Sequence, residues 1–176
     1  MEPKEWMMNK KKMMDPQGLS LLIRETSQLE QDMLDTLNEN EVYDYMVSKM
    51  NFCQRKQVIS CQDMGVHIRI GDICFIDYGL AYLWEIGYQH FGLVLSMKNG
   101  KAFVVPVSGS ARAFRQAAQK EHMMRLPLIR GLNKPSVLYI NDAKWINTAR
   151  IIDVKAHIDA EGALFKSVKQ QVQQMI

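Results

Sequence analysis

Two short stretches carry the side chains best suited to acid–base chemistry. In EIGYQHFGLVLS (residues 85–96), His90 follows Gly87, Tyr88 and Gln89 and stands at the mouth of an apolar run. An imidazole gains and loses its proton near neutral pH, so a histidine placed there suits general acid–base work. It suits a hydrogen-bonded structural role equally well. In VVPVSGSARAFR (residues 104–115), Ser108 closes a second apolar run. Its hydroxyl can serve a reacting group, or the Ser-Gly-Ser sequence can simply make a turn. Arg112 and Arg115 follow at once, with Lys120 and Arg125 beyond. Such a cluster lines a phosphate track or forms a solvated loop. Tyr82, Trp84 and Tyr88 could stack on unpaired bases or pack at a rim. His67, His122 and His157 have no partner visible in the sequence.

The elements that must position these groups are read from periodicity. Leu19, Leu22, Ile23, Leu29, Met33, Leu34 and Leu37 recur at helical spacing. Asn38–Glu41 breaks that pattern, with Asn38 or Asn40 as a cap, and Val42, Tyr45, Met46, Lys49 and Met50 begin a second amphipathic helix. After Gly65 the signal turns to strands. HIRIGDICFIDYG, HFGLVLSM, AFVVPVS, HMMRLPL, SVLYIND and ARIIDVKAHI are short and rich in β-branched and aromatic residues. Asn99-Gly100 marks a hairpin between the second and third. Pro106 donates no ladder hydrogen bond, which predicts an edge position or a bulge. A last helix is expected from a cap near Asp159, with Ala163, Leu164, Val168, Val172 and Met175 on one stripe. The expected organisation is a flexible tail (1–17), an α-helical extension (18–65) and a domain of 66–176. The fold class is α+β, mainly β: a small, strongly bent antiparallel β-barrel with a C-terminal helix, preceded by a helical pair.

Composition narrows the class without choosing a function. The 176 residues are 47% apolar and 23% charged, with a formal net charge of +3. That is ordinary globular composition, and the mild positive balance permits nucleic acid without requiring it. Cys53, Cys61 and Cys74 are an odd, unclustered set, as expected of reduced thiols, and their spacing does not suit zinc. No apolar run approaches the ~18 residues of a membrane span. A cytoplasmic protein that needs no metal or cofactor is the expectation.

Residues 69–176 resemble the MazF/PemK (Kid) toxin family. GDICFIDYG resembles the family's opening strand, and EIGYQHFGLVLS its E-Q-G-G-x-R-P-x-L-I stretch. VVPVSGSARAFR resembles the V-V-P-V-T-S strand and following loop, and VLYINDAKWINTARI the D-Q-I-R-T-I-D-K-x-R-L segment, with Ile146 and Arg150 in register. The resemblance implies an SH3-like or CcdB-like barrel, usually a homodimer. It implies a toxin of a toxin–antitoxin system that cleaves single-stranded RNA without metal, the ribose 2′-oxygen attacking the adjacent phosphate. An antitoxin protein is the implied partner.

The departures fall on the chemistry. The family's catalytic arginine falls on His90 and its threonine on Ser108. Phe91 replaces a proline, Tyr139 an arginine, and the acidic residue of the last motif falls on Asn141, beside Asp142. The resemblance therefore assigns catalysis to His90 and Ser108. It assigns RNA binding to Gly87, Tyr88, Gln89, Arg112, Arg115, Asn141, Asp142 and Lys144. Two other readings stay open: a relative that kept the barrel to bind RNA or protein without cleavage, and a CcdB-like gyrase-binding protein.

Overall fold

The computed structural model describes residues 2–10 and 14–175. Most of the Lys10–Lys12 run, expected in a solvated tail, therefore lies outside the described residues. The chain separates into two compact units, 1–43 and 44–176.

In the first unit, helix α1 spans Pro3–Met8 and helix α2 spans Pro16–Leu34. The Asp15 side chain accepts from the Gly18 amide at 2.6 Å, and Pro16 supplies a preset φ at the first helical position. Helix α3, Glu39–Arg55, starts beyond the break expected at Asn38. The Asn38 carbonyl oxygen of the side chain accepts from the amides of Asn40 (3.0 Å) and Glu41 (3.1 Å), so Asn38 is the cap.

The second unit takes the rest of α3. Ser48 Oγ and Asn51 Nδ2 each donate to the Asp77 carboxylate at 2.7 Å. Arg55 donates to the carbonyls of Ala149 (3.2 Å) and Ile151 (3.1 Å). The end of α3 thus belongs with the sheet, because its polar side chains complete groups that the sheet leaves unpaired.

The described residues form a seven-stranded antiparallel sheet. Its strands are β1 (Asp72–Asp77), β2 (Gln89–Lys98), β3 (Lys101–Ser108), β4 (Met123–Leu126), β5 (Ser136–Tyr139), β6 (Lys144–Asn147) and β7 (Ile151–His157). The order is β4-β5-β3-β2-β1-β7, with β6 also on β3. The mainly β architecture agrees with the sequence reading, but β4 and β7 do not pair, so the sheet is not closed. It bends at β3 instead. One edge of β3 pairs with β2, while the other pairs with β6 through Val104 and with β5 from Val107 onward. Pro106 sits in the gap between those two partners, where a missing N–H costs nothing. The β2–β3 register shift lies between Val94 and Ser96, away from Pro106. Asn99 and Gly100, both at positive φ, make the expected hairpin turn.

Alternation gives the sheet two apolar faces. Ile73, Leu93, Leu95, Val105, Val107 and Leu138 face one way and pack with Phe165, Val168 and Val172 of the last helix, α5 (Ala163–Met175). Each such fully buried aliphatic side chain contributes about 1.5–3 kcal/mol. The expected cap Asp159 instead organises the preceding turn, accepting from the Glu161 amide, and the helix begins at Ala163. Cys74, Ile76, Tyr78, Val94, Val104, Ile146 and Ile151 face the other way, over Cys61. A short helix, α4 (Ala111–Gln116), follows β3 where a loop was expected, with Ser110 as its cap.

Candidate active site

Register brings the two candidate catalytic residues together. β2 and β3 pair Phe91 with Val107 and Gly92 with Pro106. Continued by one residue, that register would set His90 opposite Ser108. By alternation both lie on the second face, two residues beyond Gly92 and Pro106 and near the end of the strands.

The segment between β1 and β2 orients the imidazole. Its base is tied by Tyr78 N to Tyr88 O and by Tyr88 N to Gly79 O, both 2.7 Å. Within it Gly87 is buried, and a Cβ there would lie 2.6 Å from the Ala81 methyl. Only glycine fits, and its carbonyl is thereby delivered to His90 Nδ1 at 2.7 Å. A carbonyl accepts only, so Nδ1 carries the hydrogen and a neutral ring presents Nε2 as a base. Tyr88 and Trp84 hold positive φ values of 54° and 73°, which non-glycine residues rarely adopt. Tyr82, Leu83 and Trp84 stand out in solvent, Trp84 at 97% exposure.

Three more side chains complete this face. Tyr78 is buried behind Gly92, and a Cβ at position 92 would strike the Tyr78 hydroxyl and come within 2.7 Å of Ile76 Cδ1. Burial, then the neighbouring Cys74 and Asp142, push the phenol far up from its ordinary range, so it stays protonated. The Lys144 ammonium lies over the Tyr78 ring, 5.7 Å from its centroid. Burial also raises the Asp142 carboxyl from its ordinary value; Lys144, the Ile86 amide and His122 oppose that shift, while Glu85 adds to it. Asp142 is half-buried, and its neighbour Asn141 is exposed.

The remaining candidates are placed less centrally. Arg112 and Arg115 are exposed on α4, just beyond Ser108. Strand alternation turns Gln89 to the opposite face from His90; its Nε2 is buried and makes no hydrogen bond among the described residues. Ser108 Oγ accepts from the Ser110 amide at 3.2 Å, so turn chemistry and an available hydroxyl coexist there. Sequence reasoning missed Tyr78 and Lys134. The Lys134 stem lies over Gly109, where an added Cβ would be 2.6 Å from its Cε, beside Ser108. Nothing in the sequence points to Lys134 or to the packing of Tyr78 against Gly92. Among the described residues no cluster of His, Cys, Asp and Glu could hold a metal ion, and no helix is long and apolar enough to cross a membrane.

No family model matches the sequence, and no curated protein is significantly similar to it. Solved structures are similar. They include MazF (Form-I) from Deinococcus radiodurans, at 17% identity and a TM-score of 0.49, covering 61% of this chain and 94% of that one. The Mycobacterium tuberculosis toxin MazF-mt6 is 14% identical, with a TM-score of 0.39 and coverage of 58% and 89%. A MazE–MazF complex (Form-II) from Deinococcus radiodurans is 16% identical, with a TM-score of 0.40 and coverage of 61% and 90%.

Proposed function

We propose that this chain is a toxin-like endoribonuclease that cuts single-stranded RNA without a metal ion. The observation that carries the reading is the β2–β3 register, in which Phe91 pairs with Val107, the neighbours of His90 and Ser108. The motif resemblance places the family's two catalytic positions on those residues. In the reaction, the ribose 2′-oxygen attacks the adjacent phosphorus and the bond from phosphorus to the 5′-oxygen breaks. The products are a 2′,3′-cyclic phosphate and a 5′-hydroxyl end. His90 Nε2 takes the 2′-hydroxyl proton, since Nδ1 is occupied by Gly87 O. Asp142, whose carboxyl burial raises from its ordinary value, is the group that donates the proton to the leaving oxygen. Lys144 and Lys134 offset the charge that develops on the phosphoryl oxygens, as arginine does elsewhere. Ser108 hydrogen-bonds the phosphate. The chain would act as a homodimer in the cytoplasm, held in check by an antitoxin protein.

The test incubates purified protein with a long single-stranded RNA in EDTA, beside His90→Ala and Ser108→Ala. Discrete cuts with cyclic-phosphate ends are expected. His90→Ala should lower the rate by about 100- to 10,000-fold, the usual worth of a positioned acid–base group. An uncut RNA, or a fully active His90→Ala protein, overturns the reading. One observation favours binding without cleavage as a second reading: histidine and Asn141 stand where the resembled motifs carry arginine and an acid.

A further inference from the structure

A second feature of the 44–176 unit is a cavity of about 410 Å³ between the end of α3 and the ends of β1 and β6. Four cationic side chains line it: Lys49, Arg55, Lys56 and Arg150. Asp77 is the one acid in its wall, and its carboxylate is already turned to Ser48, Asn51 and the Gly79 amide. Lys49 is engaged by a group of its own, so Arg55, Lys56 and Arg150 against Asp77 leave the wall two positive charges in excess.

The two arginines are fixed before any ligand arrives. Arg55 Nη1 donates to Ala149 O and Ile151 O. Arg150 Nη1 donates to Asp77 O at 3.2 Å and Tyr78 O at 2.9 Å. Carbonyls hold a guanidinium in place but do not neutralise it, and each arginine keeps further N–H donors. Phe52, 59% exposed, and Leu80, 62% exposed, supply apolar wall. The volume lies within the range of small-molecule sites.

We propose that this cavity binds a nucleoside phosphate, with the phosphate on the arginines and Lys56 and the base against Phe52. An excess of two charges suits a phosphate, which carries up to about two, better than a single carboxylate. The aromatic wall suits a flat base. The ligand is either a free nucleotide or one nucleotide of an RNA strand. The second source rests on the proposed function: Gly79, in the cavity wall, accepts from the amide of Tyr88, two residues before His90.

The test uses two probes, AMP and a 2′-O-methyl oligoribonucleotide of about ten residues, within the usual single-strand site size. The oligoribonucleotide has no attacking 2′-hydroxyl, so binding is read without cleavage. Lys56→Glu and Phe52→Ala change exposed positions, and matching thermal melts confirm that both variants fold. For the oligoribonucleotide, Lys56→Glu should reduce the slope of log affinity against log salt by about 0.7 for the lost phosphate contact. Phe52→Ala should weaken binding by about fivefold or more. Loss with AMP alone identifies a free nucleotide, and loss with the oligoribonucleotide alone identifies a strand. Affinities unchanged in both variants overturn the proposal, as does binding of a glutamate-rich peptide but of neither nucleotide probe. Cleavage of unmodified RNA is scored separately. Lost cleavage with intact, Lys56-dependent AMP binding refutes only the nuclease reading; the converse refutes only this site.

Discussion

Replacing Asp77 by alanine probes how the end of α3 is held. Asp77 is 3% exposed and Ser48 is 2% exposed. The carboxylate receives Ser48 Oγ, Asn51 Nδ2 and the Gly79 amide at 2.7, 2.7 and 3.0 Å. Asn51 and Gly79 border the cavity, so water can replace their lost partner. Ser48 also lines the cavity, but at 2% exposure its hydroxyl has far less access to water. A buried hydroxyl left without a partner costs about 1–3 kcal/mol. Adding the lost charge-assisted bond brings the expected cost of Asp77→Ala to about 2–4 kcal/mol. Ser48→Ala removes one of three donors and should cost about 1 kcal/mol. The double variant should cost less than the sum by about 1 kcal/mol or more, because no orphan hydroxyl remains. Urea unfolding followed by far-ultraviolet circular dichroism measures all three. Trypsin should also cut Asp77→Ala faster at Arg55 and Lys56, since the helix end is released. Additive costs, or an Asp77→Ala protein within about 0.5 kcal/mol of the parent, would refute the reasoning.

Gly92→Ala should destabilise by about 1–3 kcal/mol through its collision with the Tyr78 hydroxyl, and in a Tyr78→Phe background chemical denaturation should recover at least about 0.5 kcal/mol of that loss. Cys53, which is exposed, should react with a thiol reagent at once, whereas Cys61 and Cys74 are buried and burial pushes Cys74 up to about 12. Labelling of either buried thiol at a comparable rate in the folded protein would contradict this packing. Asp142 is raised in the folded state, so it contributes stability below its unfolded value that is lost as pH rises through the folded one. Asp142→Asn should therefore gain on the parent protein as pH climbs from acid to neutral, and thermal melts across that span would expose the opposite trend.

Strands with a clear signature were legible without coordinates. HFGLVLSM and AFVVPVS, joined at Asn99-Gly100, gave β2, β3 and their turn because alternation and turn chemistry agree there. β6 escaped because KWIN offers four residues, too few to show a period, and it forms only because β3 supplies a partner edge. α4 escaped because Ser110 reads as part of a Ser-Gly-Ser turn until the Ala113 amide is seen to donate to it. In the candidate site, His90 and Ser108 were singled out by their motifs, and their nearness on adjoining strands follows only from the β2–β3 register. Tyr78, Lys134 and the α3 anchor on Asp77 depend on contacts across the chain, which no local pattern encodes.

The pairing of β1 with both β2 and β7 has a consequence for synthesis. β2 and β3 follow β1 closely, so the strands bearing His90 and Ser108 can pair early. The outer edge of β1 must wait for Ile151–His157, and the carbonyls that receive Arg55 arrive with them. At ~5–20 residues per second, that leaves the edge unpaired for roughly 4–15 seconds on the ribosome. Through that interval a nascent chain carries an open apolar strand edge, the kind of surface that chaperones cover and that neighbouring nascent chains can join. Yield in a cell should therefore respond to translation speed across residues 78–150 more than to codon choice in the N-terminal helices.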